Sequence, residues 1–199
     1  MPMDYVIKPV QETTASYDDI HDLIFKAHES NRKKGMIFKT SLMNGDQIKQ
    51  KVGVGITYVA VDKETLIGTA SVSLHPGENW YDKDLLVAHY CFDAVSPEYQ
   101  GRGVMNAIDR YRFSFSLSSG AKILRTGTAE RNTVQRRRLI KNGFSPIDYK
   151  RLSGNSFYSV IYVKWVNEQD RFPSWECFLY YYYKMVKVRI WALFHSKDY

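Results

Sequence analysis

An apolar run ending in Ala94-Val95 passes through Ser96-Pro97-Glu98-Tyr99-Gln100 into Gly101-Arg102-Gly103, then into a helical pattern with apolar residues at Val104, Ala107, Ile108, Tyr111 and Phe115. No other stretch constrains the fold as tightly. A strand that hands over to a helix through two glycines gathers free N–H groups and the positive end of a helix dipole on one small surface, and the glycines let a ligand come close to the backbone. The layout suits an anion such as a phosphate, and Arg102 adds a mobile cation. Taken alone, two glycines between a strand and a helix also describe a plain connection.

The strand that delivers this turn is expected over residues 85–95, where a period of two puts His89, Cys91, Asp93 and Val95 on one face and Tyr90, Phe92 and Ala94 on the other. Residues 5–10 read as a short edge strand, because Pro9 lacks a donor that a central strand needs. Thr13 or Thr14 is the expected cap of a helix with Tyr17, Ile20, Leu23, Ile24 and Ala27 on one face, and a second helix covers 46–52 after a loop over 31–44. Strands at 56–61 and 66–74 pair antiparallel about a turn at 62–65. The segment 75–84 is a loop in which Trp80 serves equally well as a pocket wall or as a lid packed on the sheet edge. After the glycine turn come a helix over 106–118 with Gly120 as its C-terminal cap and a parallel strand over 123–128. A basic helix then runs from Asn132 to Gly143, and strands at 145–152 and 157–166 follow. Arg136, Arg137 and Arg138 point about 100° apart on that helix, so they cannot all face one ligand.

Two spaced motifs in order resemble the GNAT superfamily of N-acetyltransferases. Its acyl-CoA-binding pattern is Gln or Arg, two residues, Gly, one residue, then Gly or Ala, and Gln100, Gly103 and Met105 occupy those positions, with Met105 the departure. Asn132, Leu139 and Lys141-Asn142-Gly143-Phe144 are similar to the next helix of the family and its Gly-Phe ending. The resemblance implies an α/β domain over residues 1–166 with a mixed, mostly antiparallel sheet, splayed middle strands and flanking helices. It also implies that acetyl-CoA is held by the backbone of Asp93, Ala94 and Val95 and by Gln100, Gly101, Arg102, Gly103, Val104, Met105 and Asn106, with Asn132 positioning the cofactor or capping its helix. The helices before the sheet would form the wall that selects an amine, with Lys33 and Trp80 as candidate substrate contacts. The implied reaction is direct attack of a small amine or amino sugar on the thioester in a ternary complex. The overall layout looks closer to bacterial members of unassigned substrate than to histone or ribosomal-protein acetyltransferases.

Acyl transfer to an amine needs an unprotonated nucleophile, a donor for the developing oxyanion and a proton for the departing thiolate. His89 is the first candidate base, at the strand position where many members of the family carry glutamate; Asp93 is the second, and a buried histidine bonded to a neighbouring strand is the plainer reading of His89. The family's usual tyrosine acid is replaced by Leu139 and a usual glutamate by Gly127, which leaves Tyr149, Tyr158 or water to protonate the sulfur.

Composition bounds the alternatives. A chain of 199 residues, 44% hydrophobic, buries one sizeable core, and a net charge of +7 favours an anionic partner. Two cysteines cannot build a disulfide framework, and the start has no basic segment followed by a long apolar run, so a reduced, cytoplasmic setting is expected. His21 and His28 fall seven apart without a clustered partner, so no metal is expected. The extension over 167–199 is aromatic and basic, and three readings of it stay open: packing on its own sheet, pairing with a second copy as a homodimer, or contact with an anionic membrane surface. A nucleic-acid-binding module would explain the charge, but no RNA-binding or zinc-finger signature supports it. A GNAT-fold protein that binds acyl-CoA without transferring the acyl group is the remaining alternative.

Overall fold

The computed structural model describes residues 5–167 and 174–194. Seven strands form one sheet in the order β1-β2-β3-β4-β5-β7-β6. They are β1 (Tyr5–Pro9), β2 (Gly55–Asp62), β3 (Thr65–Pro76), β4 (Leu86–Val95), β5 (Ile123–Ala129), β6 (Ser145–Arg151) and β7 (Tyr158–Trp165). Every neighbouring pair is antiparallel except β4 and β5, which are parallel. β1 is an edge strand and ends at Pro9, as its missing N–H requires.

The helices are α1 (Tyr17–Ala27), α2 (Glu29–Lys33), α3 (Gly45–Val52), α4 (Val104–Ser118), α5 (Thr133–Lys141) and α6 (Ser174–Phe194). Ser16, rather than Thr13 or Thr14, caps α1: its hydroxyl accepts from the Asp19 N–H at 3.1 Å while the Asp19 carboxylate accepts from the Ser16 N–H at 2.7 Å. This reciprocal box is worth about 1 kcal/mol and holds the Asp19 carboxyl below its ordinary range through the Ser16 hydroxyl and N–H. Asn44 and Gln47 make the same box on α3.

α1 and α3 cover one face of the sheet over Ile20, Ile24, Ile48, Val59 and Phe92. α4 covers the other, where Val104 and Ile108 pack on Tyr58, Ala60, Ile67 and Ala70. The buried stripe of α4 runs Val104, Ala107, Ile108, Arg112, Ser116, so Tyr111, expected inside, is half-exposed and an arginine takes a core position.

β4 carries the feature that shapes the site. Against β3 its register advances from Ser71↔Cys91 to Thr69↔Ala94, so three steps on β4 oppose two on β3. This is a bulge, with Phe92 in the left-handed region at φ 57°. The extra residue reverses the alternation. Cys91, Phe92 and Ala94 pack on the α1/α3 side, whereas Tyr90 joins the cluster with Leu139 and Phe144 and Asp93 reaches α4. The expected grouping of Asp93 with His89 and Cys91, and of Phe92 with Tyr90, therefore fails at the bulge.

Candidate active site

The parallel ladder between β4 and β5 is short, running only from Val87↔Ile123 to His89↔Arg125. Thr126 Oγ1 donates to the Tyr90 carbonyl at 3.1 Å, and no ladder pair joins residues 91–95 to 127–129 beyond it. The two strands part there. Gly127 lies exposed beside the parting, where a side chain would meet Ile161 Cδ1 at 3.1 Å. A cavity of about 370 Å³ opens between the parted strands, α4 and α5, with Tyr90, Asp93, Thr126 and Leu139 in its wall and Arg110 and Lys141 among its cations. That volume is within the usual range for a small-molecule site.

The glycine turn stands where β4 leaves the parting. Gly101 and Gly103 have φ of 75° and 83°, a conformation that L side chains adopt rarely, and nothing lies within 4 Å of where either Cβ would be. The backbone thus requires glycine while the space outside stays open. Gly103 is the N-terminal cap of α4, so the first N–H groups of the helix have no acceptor within it. Gln100 Nε2 donates to the Val95 carbonyl at 3.0 Å, which ties the turn to the strand end. Arg102 is exposed, with its guanidinium 5.6 Å from the Tyr99 ring centre. The Met105 side chain packs against the core cluster of Val104 and Ile108, so the family departure at this position does not require a narrower turn. Asn106 takes part in the network below, and the Asn132 side chain accepts from the Gln135 N–H at 3.2 Å as the cap of α5.

One wall of the cleft is a network of four charges that sequence reasoning missed. Arg112, with its side chain 2% exposed, donates to Asp93 through Nη1 at 2.6 Å and Nη2 at 3.2 Å. It also bonds Asp109 through Nε at 3.2 Å and through Nη2, and it lies 4.2 Å from the centre of the Tyr90 ring. Arg138 reaches across from α5 to Asp109 and, at 3.8 Å, to Asp93, and donates to Asn106 Oδ1 at 3.4 Å. Burial opposes the Arg112 charge, but Asp93 and Asp109 more than reverse this and raise its pKa. A cation at a core position of an apolar helix face was the available signal. Of the three adjacent arginines, Arg138 faces this cleft, Arg136 turns to Tyr162 and Tyr181, and Arg137 is exposed.

His89 lies on the opposite face from Asp93, its ring 6.0 Å from that of His75. Its Nδ1 is sealed from solvent without a partner, although part of the ring stays accessible. Burial first, then the charge of Arg125, pushes its pKa down to about 3. Such an imidazole is neutral near pH 7 and a weak base. Arg125 is held by buried Asp82 at 2.8 Å and donates to His75 Nε2 at 3.1 Å, while His75 Nδ1 donates to the Pro76 carbonyl. His28, unremarked in the sequence as a site residue, meets the bulge directly. Its Nε2 donates to the Asp93 carbonyl at 3.3 Å, which leaves Nδ1 to accept from Asn31 Nδ2 at 3.3 Å.

The remaining candidates lie apart from the cavity. Tyr149 is buried, donates to Glu130 Oε2 at 2.6 Å and stacks on Tyr158 at 5.3 Å, and neither ring lines the cavity wall. Burial, then the Glu130 bond, raises the Tyr149 pKa, so it gives up its proton less readily. Tyr90 is the phenol that does line the cavity. Lys33 is exposed on α2 and paired with Glu29 at 2.8 Å. Trp80 packs edge-on against Tyr81 and 4.8 Å from Tyr180 of α6. Residues 35–39 are tied to the β6–β7 connection: the Ile37 N–H donates to Ser156 Oγ and the Lys39 N–H to Asn155 Oδ1, each at 2.8 Å. Phe38 lies 4.5 Å from Phe157 and 5.0 Å from His28. A groove of about 580 Å³ lies along Ile37 and Arg151 to Ser156.

No protein-family model matches the sequence, and no curated protein matches it. Solved structures do match. An acetyltransferase from Streptococcus agalactiae 2603 is 18% identical with a TM-score of 0.62, over 81% of this chain and 98% of the other. A GNAT family acetyltransferase from Elizabethkingia anophelis with acetyl-CoA bound is 18% identical with a TM-score of 0.57, over 83% and 100%. The ribosomal-protein-S5-alanine acetyltransferase from Vibrio fischeri is 17% identical with a TM-score of 0.55, over 84% and 96%. The mixed seven-stranded sheet with flanking helices is the GNAT fold.

Proposed function

We propose that this chain, which has the GNAT fold, is an acetyl-CoA-dependent N-acetyltransferase acting on a primary amine by direct attack in a ternary complex. One juxtaposition carries the reading: the parting of β4 from β5 leads straight into the Gly101-Arg102-Gly103 turn at the N-terminus of α4. The turn offers N–H groups and Arg102 to a pyrophosphate, and the parted strands offer a slot to the pantetheine arm. The aromatic cluster of His28, Phe38 and Phe157, next in the chain to the groove along Ile37 and Ser156, is the candidate acceptor surface, and a small amine or amino sugar is the acceptor class we carry forward.

In the reaction the amine nitrogen bonds to the thioester carbonyl carbon, the C–S bond breaks, the nitrogen loses a proton and the thiolate gains one. His89 is too weakly basic to hold the first proton near neutrality, and the Asp93 carboxylate is engaged by Arg112. Water in the open parting is then the route by which the amine loses its proton, and Tyr90, the phenol in the cavity wall, is the candidate donor to the thiolate even though burial raises its pKa as it does that of Tyr149.

Calorimetric titration with acetyl-CoA tests the reading, alongside Gly103→Trp, a change that the φ of 83° and the open space above it aim at the turn. Micromolar binding by the wild type, at least about tenfold weaker in the variant, and CoA release with a panel of small amines are expected. A folded wild type that binds no acetyl-CoA would overturn the proposal.

A further inference from the structure

α6 is apolar on two opposite faces. Cys177 and Tyr181 are buried against the sheet, and Met185 and Val188 pack beside them. Trp175, Leu179, Tyr182, Val186 and Ile190 form a second stripe on the far side, with Trp175 62% and Leu179 61% exposed. Their spacings of four, three, four and four residues keep them on one helix face for about 22 Å. A stripe of this size on a soluble surface marks an interface.

The charges of the helix say what covers it. Lys184 is turned to Asp148 at 3.8 Å and Arg189 to Glu130, both on the domain itself. Glu176 and Lys187 are exposed beside the apolar stripe and have no ion-pair partner among the described residues. Eleven residues separate them, about three helical turns, so they share one flank. A two-fold axis across the helix midway between them brings Glu176 of each copy to Lys187 of the other, forming two identical ion pairs. The same axis sets Trp175 opposite the gap between Val186 and Ile190, and Leu179 opposite the gap between Tyr182 and Val186, as interdigitating helices require. An anionic membrane would gain little here, since among the described residues the exposed Lys187 is offset by Glu176 on its own flank and the exposed Arg189 by Glu130.

We propose that α6 is the homodimer interface, two copies packing antiparallel along this stripe with reciprocal Glu176–Lys187 pairs. Sedimentation equilibrium of the full chain over about 1–100 μM tests it, with circular dichroism confirming that each variant is folded. The wild type is expected to dimerise. Glu176→Lys and Lys187→Glu should each raise the dimer dissociation constant about tenfold by placing like charges together, and the double variant should return to within about threefold of wild type. A wild type that is monomeric throughout, single variants that dimerise like wild type, or a double variant that fails to recover would overturn the proposal. So would a monomer that instead binds phosphatidylserine vesicles through α6.

Discussion

Arg112 is a cation in a core position, kept charged by two carboxylates and the face of a tyrosine. Arg112→Ala leaves Asp93 and Asp109 crowded together with only Arg138 between them. Breaking a buried network by removing one partner costs about 3–5 kcal/mol, so urea denaturation should show a loss of that order. Arg112→Lys should recover only part of it, because an ammonium cannot bond Asp93 through two parallel N–H groups while reaching Asp109. His89 makes a pH prediction. Its folded pKa of about 3 lies below its unfolded value, so both states are neutral above about pH 7.5, a unit above the unfolded pKa, and the group adds no pH dependence there. As pH falls from about 6.5 towards 3, the unfolded chain takes up a proton that the native chain refuses, and stability drops by up to about 1.4 kcal/mol per pH unit. His28, also depressed, chiefly by burial, adds to the decline. Denaturation at about pH 7, 5.5 and 4.5 should therefore show a shallower decline in His89→Gln than in wild type, whereas identical slopes would mean that His89 protonates freely in the fold.

At the scale of elements, two features decide how the site is built. The first is the β4 bulge. Strict alternation is legible through Cys91 and fails one residue later, because the extra residue is Phe92, whose sequence carries none of the glycine signal that usually marks a left-handed position. Its consequence is chemical: Asp93 leaves the His89 face and meets Arg112. The second is α6, which runs beside the edge strand β6 and reaches both faces of the sheet, Cys177 packing with Ile147 and Ile161, Tyr181 with Tyr149 and Tyr162. It covers an edge that would otherwise invite another strand. Tyr181→Ala should cost about 3–5 kcal/mol, a loss comparable to other large-to-small core changes, and lower the melting temperature accordingly. A change below about 1 kcal/mol would show that α6 contributes little to the domain.

For the molecule as a whole, the division between what was legible and what was not follows sequence separation. The order of the strands and of the helices other than α2 and α6, the proline-ended edge strand, the glycine turn and the GNAT-like layout could be read from the chain alone, since periodicity, capping and turn chemistry act between residues a few positions apart; α2 runs into the expected loop over 31–44. Even there, choosing Ser16 over Thr13 or Thr14 as the cap required the reciprocal bond from Asp19. The protonation and availability of the candidate site residues could not be read in this way. His89 has the right residue type for a base, but its burial and the nearby Arg125 make it a weak one. Tyr149 has the right type for an acid, but Glu130 holds its hydroxyl. What the sequence by itself determined is the scaffold and the glycine turn at the start of α4, whose parts are neighbours in the chain. Only the tertiary structure decided which face Asp93 occupies, that Arg112 and Arg138 join it from two different helices, and that α6 lies along β6 with a second apolar stripe left outward. Those outcomes depend on desolvation and on ion pairs between distant residues, and such terms take their values only once the chain is packed.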